Sequence, residues 1–164
     1  MSKPAYALLP LLVMPAFASA QEVTRHPLPN GSTFPISAAV EVPAGKTLVY
    51  LSGMVPAVAD PKAPKDSIAA YGDTRTQTIS VMQLIKAQLE ALHLGMGDVV
   101  KMQVFLVGDP ATGGRMDFAG FMAGYTQFFG TAAQPHLPVR SAMQVAALAN
   151  PGYLVEIEVT AVRP

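Results

Sequence analysis

Three charged residues near the end of the chain have the types and spacing that acid–base chemistry on a small anion requires. Arg140 follows a proline and a valine, and Glu156 and Glu158 lie two residues apart in an apolar stretch. An arginine presents a planar fork that pairs with a carboxylate, and a glutamate can orient water or move a proton. Because side chains alternate along a strand, the two glutamates would share one face, about 7 Å apart. The alternatives are a solvated outer face for the glutamates and a surface salt bridge for Arg140.

Other kinds of catalytic centre find little support in the sequence. His26, His93 and His136 have no metal-ligand spacing to one another or to acidic residues, so we predict structural roles for them and no metal site. There is no cysteine, which excludes a thiolate nucleophile and a thiolate metal centre. The chain contains no nucleophile elbow, phosphate-binding loop or dinucleotide fingerprint. The aromatic stripe from Phe118 to Phe129 is typical of a buried helix face and not of a cofactor site.

The elements that must position these residues follow from hydrophobic periodicity. Runs rich in β-branched and aromatic residues indicate strands, and two stretches with apolar residues every three or four positions indicate helices. The predicted strands are 36–42, 47–55, 98–107, 139–148 and 153–162, and the predicted helices are 74–94 and 118–129. Gly95 would end the first helix, Asp117 would cap the second and Gly130 would end it. The order β-β-α-β-α-β-β predicts an α+β domain in which two helices cover one face of one sheet.

Composition and the first residues bear on location and partners. The chain has 164 residues, enough for one domain, and a formal net charge of zero, so no basic surface for nucleic acid is expected. Residues 1–20 have an early cation, a short apolar run and a small-residue end at Ala20, the pattern of a secretory signal peptide. The alternative is a disordered or anchoring N-terminus, but the run is too short to span a bilayer. We predict cleavage after Ala20, a periplasmic or secreted protein without membrane contact, an irregular arm at 21–32 and a folded domain at 33–164.

With these residues in place, the chain resembles the Rid (YjgF/YER057c/UK114) family of enamine and imine deaminases. The C-terminal signature carries most of the resemblance: "PVR" at 138–140, Leu148 after a run of apolar positions, and "VEIE" at 155–158. The supporting stretches are "LVYLSGMVP" at 48–56, "IKAQLEALHLGMGDVVKMQVFLV" at 85–107 and "FAGFMAGYTQFFG" at 118–130. The resemblance covers roughly residues 33–163. It implies a chorismate-mutase-like α+β fold, assembled as a homotrimer with clefts between neighbouring subunits.

The resemblance also implies a reaction and roles for individual residues. Arg140 would hold the carboxylate of a 2-enamino or 2-imino acid, Glu156 would position the attacking water, and Ser52 would contribute to the cleft. Hydrolysis would yield a 2-keto acid and ammonia, without a metal or an organic cofactor. Glu158 would serve structure or the subunit interface.

Two departures from the family pattern keep a second function open. Ile36 stands where active members often carry a tyrosine, and Ala142 stands where a cysteine is common. A non-catalytic trimeric binding protein would need only Arg140 to hold a small carboxylate, whereas the retention of Glu156 favours an enzyme. A ribonuclease or translation inhibitor, as some family members are described, is disfavoured because the chain has no basic surface.

Overall fold

The computed structural model describes residues 22–164, and the predicted signal peptide at 1–20 lies outside them. In chain order the strands are β1 (Thr24–His26), β2 (Ala39–Glu41), β3 (Leu48–Met54), β4 (Val99–Val107), β5 (Val139–Val145) and β6 (Val155–Val162), and the helices are α1 (Thr74–Ala91) and α2 (Phe118–Tyr125). The main sheet has the order β3-β6-β4-β5. Strands β3 and β4 run antiparallel to β6, and β5 runs parallel to β4. This mixed sheet with two helices confirms the predicted α+β class.

Each helix begins at an aspartate that caps it. The Asp73 side chain accepts a hydrogen bond from the third backbone N–H of α1 at 2.8 Å, and Asp117 does the same for α2 at 2.8 Å, as predicted. A cap of this kind satisfies a backbone donor that the helix itself leaves unpaired. Along α1, Val81, Ile85 and Leu89 recur every four residues and are fully buried, because that spacing places them on one helix face.

Both helices end earlier than their apolar patterns indicate: α1 was predicted to reach 94 and α2 to reach 129, whereas α2 ends at Tyr125. Helix α1 ends at Ala91, because His93 adopts the left-handed conformation with a φ of 57°. The backbone N–H of Leu94 then donates to the carbonyl of Leu89, which closes the helix end. The prediction that Gly95 ends this helix is therefore wrong, since a histidine occupies the left-handed position two residues earlier.

The two faces of the main sheet are covered differently. On β4, Met102, Val104 and Leu106 are fully buried, and they belong to the cluster that also contains α1 and α2 side chains. The opposite face carries exposed large side chains, including Tyr50 at 74% and Leu48 at 41% of their full exposure. The sheet therefore has one face packed under both helices and one open face.

The N-terminal segment is more ordered than predicted. Strand β1 pairs antiparallel with β2 in a separate two-stranded sheet. The prediction of an irregular arm at 21–32 is therefore not confirmed. The first predicted strand, at 36–42, contains β2 and does not join the main sheet. The guanidinium of Arg25 holds β1 in place, since it donates to the carbonyls of Val99, Leu137 and Gly97 at 3.0, 2.7 and 2.8 Å. His26 contacts Glu41 across the pair at 2.7 Å. Among residues 22–164, no helix is long and apolar enough to cross a membrane.

Candidate active site

Arg140 lies on the edge strand β5 and points to the face that the helices cover. Its register partner on β4 is the buried Met102, and register partners in a sheet direct their side chains to the same face. Four aromatic rings surround the guanidinium, with centroids 4.3 to 5.9 Å from its central carbon; they belong to Phe34, Phe118, Phe121 and Tyr125. The faces of these rings attract a cation and exclude water from it.

The charge of Arg140 has no partner of opposite sign within residues 22–164. Its buried Nη1 has no hydrogen-bond acceptor there, and Nη2 donates to the thioether sulfur of Met122 at 3.3 Å. The ion pairs among these residues join His26 to Glu41 and Lys86 to Glu90. A thioether is a weak acceptor, so an anion that reaches the guanidinium would gain a strong, charge-assisted hydrogen bond.

Burial shifts the acid–base behaviour of both polar groups in this cage. Desolvation lowers the pKa of Arg140 from its usual value, and the nearby Tyr125 partly opposes that shift. Desolvation also raises the pKa of Tyr125 to about 12, although the charge of Arg140 acts in the opposite direction. The Tyr125 hydroxyl therefore stays protonated near neutral pH, where it donates to the carbonyl of Pro35 at 2.8 Å.

Glu156 and Glu158 share one face of β6, as predicted, but it is the open face and not the face of Arg140. Their register partners on β4 are Phe105 and Gln103, which alternate with the buried residues of that strand. Both glutamates are partly buried. Within one chain neither carboxylate can therefore meet Arg140, because the sheet lies between them.

Glu156 lies directly over the backbone of β3. A Cβ atom at Gly53 would collide with the Glu156 carboxylate oxygen Oε1. The pairing of β3 with β6 is irregular between Leu51 and Met54, and this irregularity includes Gly53. Glycine at this position thus provides the room in which the carboxylate lies.

Ser52 lies on the same open face as the glutamates. It lines a cavity of about 280 Å³ together with Lys101, Gln103 and Glu158. The structure therefore brings Ser52 to the face of the glutamates and leaves Arg140 on the other. Across residues 22–164, no three histidine, aspartate or glutamate side chains group closely enough to hold a metal ion.

The aromatic cage was not predicted as part of the site. Phe121 and Tyr125 are fully buried, which agrees with the interpretation of this stripe as core, but the same rings also enclose Arg140. Phe34 had no periodic signal, because it lies outside any helix or strand. Of the two departing positions, Ala142 packs against the core on the Arg140 face.

Comparison with known proteins defines the family. Residues 37–163 match the family model described as Endoribonuclease L-PSP. The chain belongs to this family. A solved protein of the Rid family, YyfB from Yersinia pestis, has 25% sequence identity and a TM-score of 0.63, and the match covers 85% of this chain and 98% of that one. We therefore use the name Rid for the family.

Two further relatives carry more informative names. The 2-iminobutanoate/2-iminopropanoate deaminase of Salmonella typhimurium is 35% identical over 117 residues, which cover 71% of this chain and 80% of that protein. The crystal structure of Escherichia coli TdcF with bound serine has 32% identity and a TM-score of 0.55, and it covers 82% of this chain and 92% of that one. This chain is thus similar to a named imine deaminase and to a small-molecule-binding protein of the same fold.

Proposed function

We propose that this chain hydrolyses 2-imino acids, or the 2-enamino acids that interconvert with them, to 2-keto acids and ammonia. The observation that carries the proposal is Arg140, a largely buried cation without a counter-ion among residues 22–164. Keeping such a charge desolvated is unfavourable unless an anion binds to it. The named imine deaminase among the relatives supports the class of reaction.

The reaction needs orientation and proton transfer, and this chain has a residue for each. The substrate carboxylate would lie on Arg140 in a bidentate pair. Glu156 would hold a water and accept one of its protons while the water oxygen adds to the imine carbon. Glu156 would return that proton to the nitrogen, which gives an amino alcohol. It would then pass the hydroxyl proton of the amino alcohol to the nitrogen, so that ammonia leaves as the carbon–oxygen bond becomes a carbonyl. Ser52 would contribute a hydroxyl to the same cleft.

A second copy of the chain would be needed to complete this site. Arg140 and Glu156 face opposite sides of the sheet within one chain, so the arginine of one copy would have to meet the glutamate of another. The open face carries Leu48, Tyr50 and Met143, which are large and exposed, and exposed apolar groups of this kind often mark an interface. We therefore propose a homotrimer, as the family resemblance implies, with the cleft between neighbouring subunits.

The proposal is tested by the hydrolysis of imines generated by an amino-acid oxidase and trapped by semicarbazide. The wild-type chain should accelerate the loss of imine, whereas Arg140→Ala should weaken binding and Glu156→Gln should abolish hydrolysis. Glu158→Gln is the matched control, because it removes the same charge from the same face of β6. Loss of activity in the control with full activity in Glu156→Gln would overturn the assignment of the water-positioning residue.

Mixing the two inactive variants tests the shared cleft. If each site takes Arg140 from one copy and Glu156 from another, random co-assembly of Arg140→Ala with Glu156→Gln restores about one quarter of the sites. A site contained in one chain would restore none. Refolding the variants together and separately, then measuring imine hydrolysis, distinguishes these outcomes.

A non-catalytic binding protein is the second candidate. The surroundings of Arg140 favour it in one respect, since neither the Met122 thioether nor Ile36 can transfer a proton. Binding of 2-keto acids without acceleration of imine loss would select this function. We consider a ribonuclease less suitable, because the formal net charge is zero and phosphate backbones require clustered cations.

We further propose export through the signal peptide at 1–20, with cleavage after Ala20 and a periplasmic or secreted mature protein. The apolar run followed by small residues supports this location. N-terminal sequencing of the protein from cells tests it. A mature chain that begins at Gln21 is the expected result, and one that begins at Met1 would contradict export.

A further inference from the structure

Phe34 and Phe118 form an aromatic wall beside the Arg140 guanidinium, and Phe34 brings this wall to the protein surface. Phe34 is 39% exposed, its ring centroid lies 5.3 Å from the guanidinium carbon, and it stacks on Phe118 at 6.4 Å. Phe121 and Tyr125, on the other side of the cation, are fully buried. Of the four rings, Phe34 is thus the one that is exposed and lines a cavity.

Neighbouring contacts fix the segment that carries Phe34. The carbonyl of Pro35, the next residue, accepts the hydrogen bond from the Tyr125 hydroxyl at 2.8 Å. Ser37 donates from its hydroxyl to the carbonyl of Leu137 at 2.7 Å, and Leu137 lies in the loop that leads into β5. The wall is therefore positioned before any ligand arrives, which lowers the entropic cost of binding.

The space next to this wall suits a ligand with an anionic end and an apolar body. One cavity of about 290 Å³ is lined by Arg140, by Lys101 and by the apolar side chains of Leu28 and Ile36. A second, of about 310 Å³, is lined by Phe34 and Arg25 and shares Leu28 and Ile36 with the first. Neither lining contains an aspartate or a glutamate. Each volume is near the lower end of the ~300–1,000 Å³ that ligand pockets span.

We infer that the ligand of Arg140 is a 2-keto or 2-imino acid with a bulky apolar side chain, preferably an aromatic one, whose ring lies against Phe34. The carboxylate pairs with the guanidinium, and the side chain covers apolar surface that is otherwise exposed to water. A ligand with only a methyl side chain gains the first contact and not the second. This inference rests on the proposed function for the reaction, but its binding preference can be measured without any turnover.

The test measures equilibrium binding of phenylpyruvate and of pyruvate to the full chain by calorimetry. We expect phenylpyruvate to bind about ten-fold more tightly or better, because a larger apolar area leaves water. Phe34→Ala should remove most of that preference, because phenylpyruvate loses a ring contact that the methyl group of pyruvate does not make. Leu84→Ala is the matched control. The exposed fraction of Leu84 is 38%, nearly the same as the 39% of Phe34, and Leu84 lines neither cavity.

The outcomes separate this inference from the proposed function. Equal affinities for the two keto acids in the wild-type chain would overturn the inference, and so would an aromatic preference that survives in Phe34→Ala. Preference for phenylpyruvate without hydrolysis of any imine would refute the deaminase and leave the inference standing. Fast hydrolysis of small imines together with equal affinities would support the deaminase and refute the inference.

Discussion

Replacing Arg140 by methionine should abolish ligand binding and cause little or no loss in the free energy of unfolding. The buried Nη1 without an acceptor destabilises the unliganded chain by about 1–3 kcal/mol. The cation–ring contacts offset this by about 0.5–2 kcal/mol. Methionine keeps the apolar stem and contacts aromatic rings favourably. The free energy of unfolding of Arg140→Met should therefore lie between about 1 kcal/mol below and about 2.5 kcal/mol above that of the wild type.

Arg25→Met is the matched control, because it removes another partly buried arginine whose pKa burial also lowers. The Arg25 guanidinium donates three hydrogen bonds to backbone carbonyls, at 2.7 to 3.0 Å. Its removal leaves those acceptors without their donor and releases β1 from the loop before β5. We expect a loss of about 2–4 kcal/mol in the free energy of unfolding.

Urea denaturation at one fixed chain concentration measures both variants, because assembly would otherwise shift the apparent stability. Repeating the experiment with phenylpyruvate should raise the unfolding midpoint of the wild type, but not that of Arg140→Met. A loss in Arg140→Met as large as that in Arg25→Met would refute the reasoning. It would mean that Arg140 stabilises the fold and is not an unpaired cation that binds an anionic ligand.

Three smaller changes test how the fold supports the site. Gly53→Ala should lower the rate of imine hydrolysis about ten-fold or more, because a Cβ there displaces the Glu156 carboxylate; an unchanged kcat would contradict this. Gln77→Leu should reduce the free energy of unfolding by about 2–3 kcal/mol, because its buried amide donates to two carbonyls and accepts from the backbone N–H of Leu154; urea denaturation measures the loss. His93→Gly should raise that free energy by about 1 kcal/mol, since His93 has a positive φ; a lower unfolding midpoint would argue against it.

Local periodicity predicted the elements well, because burial on one face of an element leaves a local pattern. Ile85 and Leu89 on α1 are fully buried at the spacing of one helix turn. The buried residues Val155 and Ile157 of β6 alternate with the partly buried glutamates. The end of α1 was less predictable, since glycine is the usual residue in the left-handed position and here a histidine adopts it.

The faces of the site residues could not be predicted, because they depend on register between strands that are distant in sequence. Alternation fixes which residues of β6 share a face, but it does not relate β5 to β6. That relation passes through β4, where Arg140 is opposite Met102 and Glu156 is opposite Phe105. A shift of one residue in either pairing would reverse the faces. The sequence therefore identified the candidate residues without showing that the sheet separates them.

This separation links catalysis to assembly in a way that dilution can test. A single chain keeps the Arg140 pocket, its aromatic wall and its adjoining cavities, so it should still bind phenylpyruvate. It should not hydrolyse imines, because its own Glu156 lies on the other face. The rate per chain should therefore fall on dilution into the range where light scattering detects single chains, while the affinity for the keto acid changes little. A rate per chain that stays constant through that range would place Arg140 and the water-positioning group in one chain. The attacking water would then be held by a residue on the helix-covered face, and not by Glu156.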